Sequence, residues 1–366
     1  MDLLRTEIRQ RIMREGPIPF EAFMQMALYR PGLGYYTSQD TEIGKAGDFY
    51  TSPHLHPIFG AMLGRQMEEM WEFLGRPDEF AAIEMGGGRG YLCKDMLDYL
   101  RDKEIFPSLT YALVEINPRM EQRQRELLSG YVDKIKWAPS LGGLKGARGC
   151  ILSNELLDAL PVHLIEMDGE LREVYVALDG DRFVEAPGSP STEEIAAYLK
   201  EFSIDLPQGY RTEVNLSMKG WLGEVSGALS EGFLLTIDYG YPAWEYYSEE
   251  RSRGTLLCYH RHRMGEDPYE NIGRQDITSH VNFSALKKWG EEAGLRCIGF
   301  CRQGPYLVSL GIDELMADTD VLDRARIKGL IMPGAMGETH KVMVQYRGKG
   351  TPELRGFRLK NQLNTL

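Results

Sequence analysis

The stretch Glu84-Met85-Gly86-Gly87-Gly88-Arg89-Gly90 constrains this chain more than any other. It ends the apolar run Phe80 to Met85, which reads as a strand, and precedes a helical pattern reaching Arg101. Glycines at alternate positions let a backbone turn tightly and approach a ligand closely, where a Cβ would stand in the way. A dinucleotide fingerprint would place a small residue at position 91, and Tyr91 is not one. A Walker-type phosphate loop needs Gly-Lys-Ser/Thr, which does not follow. The turn therefore suits a nucleoside ligand without a pyrophosphate. Glu115 points the same way: it closes the next apolar run, Leu109 to Glu115, where a carboxylate can accept from both ribose hydroxyls.

The rhythm around this turn is that of an α/β fold. Cys150 to Ser153 and Phe233 to Ile237 are further short apolar runs, and the polar helical stretch Arg119 to Leu128 separates two of the four. Such alternation predicts βαβ units and a mainly parallel sheet. Residues 164–206 break the pattern with alternating Leu171, Val174 and Val176 and the turns Asp168-Gly169 and Asp179-Gly180-Asp181, which predict antiparallel hairpins. Ahead of the glycine turn, Asp2 to Glu15 reads as a helix with Leu3, Ile8 and Ile12 inward. Pro57 to Leu74 reads as a second, with Met62, Met67 and Met70 in the core. Between them, residues 30–53 form a Gly- and Tyr-rich loop too long for an idle connection. Arg296 to Cys301, Tyr306 to Leu310 and Lys341 to Tyr346 read as closing strands, the last pair as a hairpin-like edge.

Charge and composition narrow the function classes. With 366 residues, 43% of them hydrophobic, the chain can bury a full core, and no apolar run approaches the roughly 18 residues of a membrane span. The net charge of −12 disfavours nucleic acid and favours a basic peptide or protein partner. Charged residues at Asp2, Arg5 and Glu7 occupy the place of a signal peptide's apolar stretch. The expectation is a cytoplasmic protein, or a processed organelle-type one. Cys93, Cys150, Cys258, Cys297 and Cys301 form no CxxC pair and read as small buried hydrophobes. His54-x-His56 and His260-Arg261-His262 have no cysteine or acidic cluster beside them, so no metal is expected. The basic run 251–263 reads as a solvated loop, since Glu266 and Asp267 follow it.

A family resemblance runs along nearly the whole chain. Its blocks are Gly47-Asp48-Phe49-Tyr50-Thr51-Ser52-Pro53, Glu84 to Gly90, Ser153-Asn154-Glu155-Leu156-Leu157-Asp158-Ala159-Leu160-Pro161-Val162, Ile237-Asp238-Tyr239-Gly240-Tyr241, Gln275 to Leu286 and Met336-Gly337-Glu338. In these the chain resembles the MidA-like methyltransferases, whose mitochondrial members assist assembly of respiratory complex I by methylating an arginine of one subunit. The resemblance implies a Rossmann-like class I methyltransferase with a seven-stranded, mainly parallel sheet, a helical N-terminal segment and a β-rich insertion. It also implies S-adenosylmethionine as cofactor, contacted by Glu84, Gly86, Gly88, Gly90 and Glu115. The chain departs from the family at Gly87, usually proline, and at Pro139, often aspartate.

The acceptor side is read from chemistry. Ligands of doubly wound sheets sit beyond the carboxyl ends of the strands, where Asn154, Glu155, Asp158 and Asp238 fall. A guanidinium is a poor nucleophile because its lone pair is delocalised, and carboxylates can hold it and localise that density. Glu155 with Asp158 or Asp238 is the candidate clamp; capping of a following helix is the competing role for Asn154 and Asp158. The expected function is methyl transfer to a protein arginine. The alternatives are a small-molecule or RNA methyltransferase, or an assembly factor that binds the cofactor without turnover. The expected organisation is 1–78 covering the cofactor site, 79–163 and 231–366 as the two methyltransferase halves, and 164–230 as a substrate-side insertion, without a membrane.

Overall fold

A computed structural model describes residues 3–38, 52–317 and 319–366 of the chain. The first five residues of the 47–53 block and most of the 30–53 loop lie outside the described residues. The chain divides into two compact units: one of residues 1–49, 157–220 and 241–285, the other of residues 50–156, 221–240 and 286–366. Residues 1–78, expected as one segment, are thus shared between the two, and residues 241–285 join the inserted strands.

The second unit carries the large sheet. Its strands run in the order Arg296–Arg302, His340–Arg347, Leu229–Tyr241, Ala147–Asn154, Phe80–Met85, Leu109–Val114, Ile135–Ala138. Neighbours from Leu229–Tyr241 to Ile135–Ala138 pair in parallel, whereas His340–Arg347 is antiparallel to both of its neighbours. The sheet is therefore mixed, and along this path it has seven strands among the described residues. The α/β expectation holds at that level, and the pairing is mixed rather than parallel throughout.

Two of the closing segments also differ from expectation. His340–Arg347 is an interior strand, because its side chains are buried on both faces from His340 to Tyr346. Tyr306 to Leu310 is no strand: Gln303–Ser309 is helical, burying Tyr306, Leu307 and then Leu310 at helical spacing. A five-residue apolar run carries no period long enough to tell the two apart. The Ile58–Phe73 helix packs Met62, Met67 and Met70 wholly into the core with Leu97, Leu152 and Phe233.

The first unit is antiparallel. Glu170–Asp179 pairs with His163–Asp168, with Arg182–Gly188 and with the short Ile18–Pro19; His163–Asp168 also pairs with Arg211–Val214. The helix Leu3–Glu15 turns Leu4, Ile8 and Ile12 inward, a four-residue repeat, and leaves Leu3 65% exposed, so Leu4 takes the place expected of Leu3. These residues meet Phe20, Phe23, Val174, Val176 and Ile277 in a separate core. All five cysteines are buried. No helix among the described residues is long and apolar enough to cross a membrane.

Candidate functional site

The glycine turn joins the carboxyl end of Phe80–Met85 to the helix Tyr91–Leu100. Gly86, Gly88 and Gly90 all take left-handed backbone, with φ of 67°, 51° and 86°, a region closed to most side chains. The amide of Gly86 donates to Val114 O (3.1 Å) and that of Gly90 to Gly87 O (2.8 Å), which pins the turn to the neighbouring strand and to itself. A Cβ on Gly88 would meet no protein atom within 4 Å, so the turn opens there toward space available to a ligand.

Glu115 follows the adjacent strand and is held from two sides. Its Oε1 accepts from the Asn117 amide (2.8 Å) and its Oε2 from Gln124 Nε2 (3.0 Å). Gln124 Nε2 also donates to Gly88 O (2.7 Å), and Gln124 Oε1 accepts from Trp137 Nε1 (3.1 Å). One fully buried glutamine thus ties the glycine turn to the carboxylate. The two carboxylate oxygens offer four lone pairs between them, so acceptor capacity remains beyond the bonds from Asn117, Gln124 and Ile116. Burial pushes the Glu115 carboxyl up to about 7, against the bonds from Asn117 and Gln124.

Glu84 lies differently. It is 4% exposed, and its Oε2 accepts from the Tyr111 hydroxyl (2.7 Å) beneath the turn. Burial pushes it up to about 7 as well, with the Tyr111 bond opposing and the Glu115 charge adding to the shift.

A second cluster stands at the end of the next strand, Ala147–Asn154. Glu155 has φ of +50°, left-handed for a residue with a Cβ. Its amide donates to Ile237 O (2.9 Å), and the next amide, Leu156 N, donates to Asp238 Oδ2 (3.2 Å). Asp238 is fully buried, and its Oδ1 accepts its neighbour Tyr239 N (2.9 Å). Both Asp238 oxygens therefore hold backbone. Glu155 Oε1 has Ser52 N and Asn154 Nδ2 at 3.3 Å each and His340 Nε2 at 3.6 Å, while Oε2 has no hydrogen bond among the described residues. Asn154 directs its Nδ2 to Glu155, and its Oδ1 is buried without a partner.

Asp158 belongs to the first unit. It is buried there with its carbonyl accepting from Ser279 N (2.9 Å). Tyr29 and Tyr36, stacked at 5.5 Å, are held protonated first by burial and then by the charges of Asp276 and Asp158. A cavity of about 740 Å³ in the same unit is lined by Glu166, Arg211, Glu213 and Arg251 among others; none of the residues named above for cofactor or acceptor lines it. Of the histidine pairs, His54 and His56 lie in the second unit, His54 within the field of Glu155 and Arg89, and His260 and His262 lie in the first.

Sequence reasoning passed over Gln124, Asn117, Ser52 and His340. Ser52 sat inside a quoted block, and Asn117 before Pro118 carries a helix-capping signature, which the structure realises through Asn117 Oδ1 and Arg119 N. Nothing in the sequence marks Gln124 or His340.

The residues on the cofactor side fit a nucleoside: a cradle of left-handed glycines, open at Gly88, and a pinned carboxylate with acceptor capacity to spare. A family profile of S-adenosyl-L-methionine-dependent methyltransferases matches residues 62–301. A protein from Burkholderia thailandensis, solved in complex with S-adenosyl-homocysteine, is 32% identical with a TM-score of 0.92, covering 100% of this chain and 96% of that one. Among curated proteins, the Drosophila melanogaster "Protein arginine methyltransferase NDUFAF7 homolog, mitochondrial" is 26% identical over 94% of this chain and 85% of its own length. The Danio rerio "Protein arginine methyltransferase NDUFAF7, mitochondrial" is 28% identical over 90% and 84%. These names overturn the cytoplasmic reading: a charged start argues against an apolar signal stretch and says nothing of the compartment a chain ends in. The glycine turn, the pinned Glu115 carboxylate and the likeness along the whole chain converge: this protein belongs to the family of S-adenosyl-L-methionine-dependent methyltransferases, and S-adenosylmethionine is its cofactor.

Proposed function

We propose that this enzyme methylates an arginine side chain of a protein, and that Glu155 holds the guanidinium. The observation that carries this reading is the Glu155 turn, where a left-handed backbone presents a carboxylate whose Oε2 has no hydrogen bond among the described residues. The relatives named protein arginine methyltransferases support the choice of acceptor. Of the residues first considered for a clamp, Asp238 serves by fixing the Leu156 amide, and so the turn, rather than by touching the acceptor. Asn154 orients the Glu155 carboxylate through its Nδ2.

S-adenosylmethionine, when bound, supplies an electrophilic methyl group. The chain's own residues do the rest. Gly86, Gly88 and Gly90 admit the ligand to the backbone, Glu84 supports the turn from below, and Glu115 accepts the ribose hydroxyls. Glu155 neutralises the guanidinium and draws its delocalised density toward one nitrogen, which acts most strongly as the bond to carbon forms. A respiratory complex I-type subunit is the acceptor that the family resemblance suggests.

The test is transfer of tritiated methyl from S-adenosylmethionine into proteins extracted from cells lacking the gene, followed by hydrolysis and amino-acid analysis. Label in methylarginine is expected. Label in another residue, in RNA or in small molecules sinks the arginine reading, and no label at all favours a binding role.

A further inference from the structure

His340 opens an interior strand directly opposite Tyr239, and its ring is buried at 6% exposure. Nδ1 lies 3.0 Å from Thr339 Oγ1, which leaves Nε2 as the nitrogen free to change its proton. Nε2 has no hydrogen-bond partner among the described residues, yet it points at Glu155 Oε1 from 3.6 Å. That separation is too long for a hydrogen bond and too short for a water to stand between. A shift of about half an ångström would close it into a charge-assisted bond, as catalytic hydrogen bonds often tighten from the free state.

Among the described residues, the other charged groups nearby are occupied or turned elsewhere. Lys341 gives its ammonium to the carbonyls of Glu338 (2.9 Å) and Thr339 (2.8 Å). Glu338 pairs with Arg302 at 2.8 Å. Tyr239 meets the imidazole edge-on, ring centres 5.6 Å apart. His54 lies within the field of Glu155 and Arg89, and burial lowers its pKa. Among the described residues, Glu155 is the carboxylate that reaches Nε2.

We propose that His340 is the positioning residue of Glu155 and receives, through that carboxylate, the proton released when the acceptor nitrogen is methylated. The inference rests on the reading of Glu155 as the residue that holds the acceptor. Methylation forms the N–CH3 bond from the nitrogen lone pair, leaves both electrons of the broken S–CH3 bond on sulfur, and releases one N–H proton. The proton passes to the Glu155 carboxylate and from Oε1 to Nε2 of His340. Imidazolium and carboxylate remain as an ion pair, and the imidazolium returns the proton to solvent when the product leaves. The transfer restores the negative charge of Glu155, without which the next guanidinium would not be held.

Two measurements test this. In the first, 13C-histidine-labelled protein saturated with S-adenosyl-homocysteine is observed by NMR at one pH, the His340 signal being assigned by its loss in His340→Gln. Glu155→Gln is expected to move the His340 ring signal by several linewidths, since it removes an anionic partner 3.6 Å from Nε2. A His340 ring signal left in place overturns the coupling. In the second, initial rates of methyl transfer into extract from cells lacking the gene are followed from about pH 6 to about pH 9. His340→Gln is expected to lose roughly a hundredfold or more in rate at neutral pH, the contribution typical of a proton acceptor, and to recover as pH rises. Its affinity for S-adenosyl-homocysteine and its melting temperature should stay at wild-type values. Wild-type rates throughout, or a uniform loss together with a lowered melting temperature, overturn the proposal. If Glu155→Gln abolishes transfer while His340→Gln does not, only the relay fails; if Glu155→Gln transfers normally, the reading of Glu155 fails with it.

Discussion

Two turns at the same edge of the sheet solve opposite problems. Phe80–Met85 and Ala147–Asn154 are parallel neighbours, and each is followed by left-handed backbone. After the first strand the left-handed positions belong to Gly86, Gly88 and Gly90, so nothing projects and a ligand can lie against the main chain. After the second the position belongs to Glu155, so the chain accepts roughly 1–2 kcal/mol of backbone strain to present a carboxylate. That strain persists because Ile237 O and Asp238 Oδ2 take the amides of Glu155 and Leu156. One turn is shaped by what is left out, the other by what is held in.

The comparison makes its largest prediction at Glu155. Glu155→Gln keeps size and most hydrogen bonding but removes the charge, so transfer should fall by about two orders of magnitude with cofactor affinity unchanged. Calorimetry and the tritium assay measured side by side decide it, and affinity falling in proportion to transfer would move Glu155 to the cofactor side. Glu115→Ala should do the reverse: at least roughly tenfold weaker cofactor binding, from the loss of charge-assisted bonds to the ribose. A change under about twofold would mean that the carboxylate does not face the ribose.

Glu115 also sets a pH dependence. Its carboxyl is raised to about 7, and two hydroxyl donors favour the ionised form, so binding lowers that pKa. Affinity should be flat above neutrality and fall on the order of tenfold as pH drops from ~7.5 to ~5.5. Glu115→Gln should flatten the profile; an unchanged slope in that variant would place the titrating group elsewhere.

A smaller effect separates Glu84 from Glu115. Both forms of the chain hold Glu84 protonated below its ordinary value of 4.5, but above it the folded carboxyl, raised to about 7, resists ionisation. The penalty to folding grows between those values and persists above them. Glu84→Gln, which can still accept from Tyr111, should therefore stabilise the protein by about 1–3 kcal/mol at pH ~8 and by nothing near pH ~4.5. Equal melting shifts at both pH values would contradict this. Smallest of all, Glu155→Gly should raise stability by about 0.5–1 kcal/mol while abolishing transfer, because glycine releases the strain at φ +50°. A clear loss of stability in denaturant titration would show that the carboxylate itself holds the turn.

The glycine turn was legible because its signal is local: only glycine occupies such backbone freely, and its order after one apolar run and before another places it at a strand end. The strands Phe80–Met85 and Leu109–Val114 were legible for the same reason. Lys341 to Tyr346 misled, since an apolar run near the end of a chain does not say whether it closes an edge or inserts between two strands. Tyr306 to Leu310 misled because five residues satisfy either period.

What the sequence determined by itself is therefore the cofactor side, where residue type and spacing carry the chemistry: alternating glycines after one strand and an acid after the next. Only the tertiary structure decided the arrangement on which the proposed acceptor site rests. Asp238 and Glu155 are both acids at strand ends, and the sequence cannot say that one carboxylate faces amides while the other keeps an oxygen without a hydrogen bond among the described residues. Nor can it say that His340, distant along the chain, brings an imidazole nitrogen to 3.6 Å from Glu155. Those facts depend on which strands become neighbours and in what register, and register is set by the packing of the whole sheet, not by any one segment.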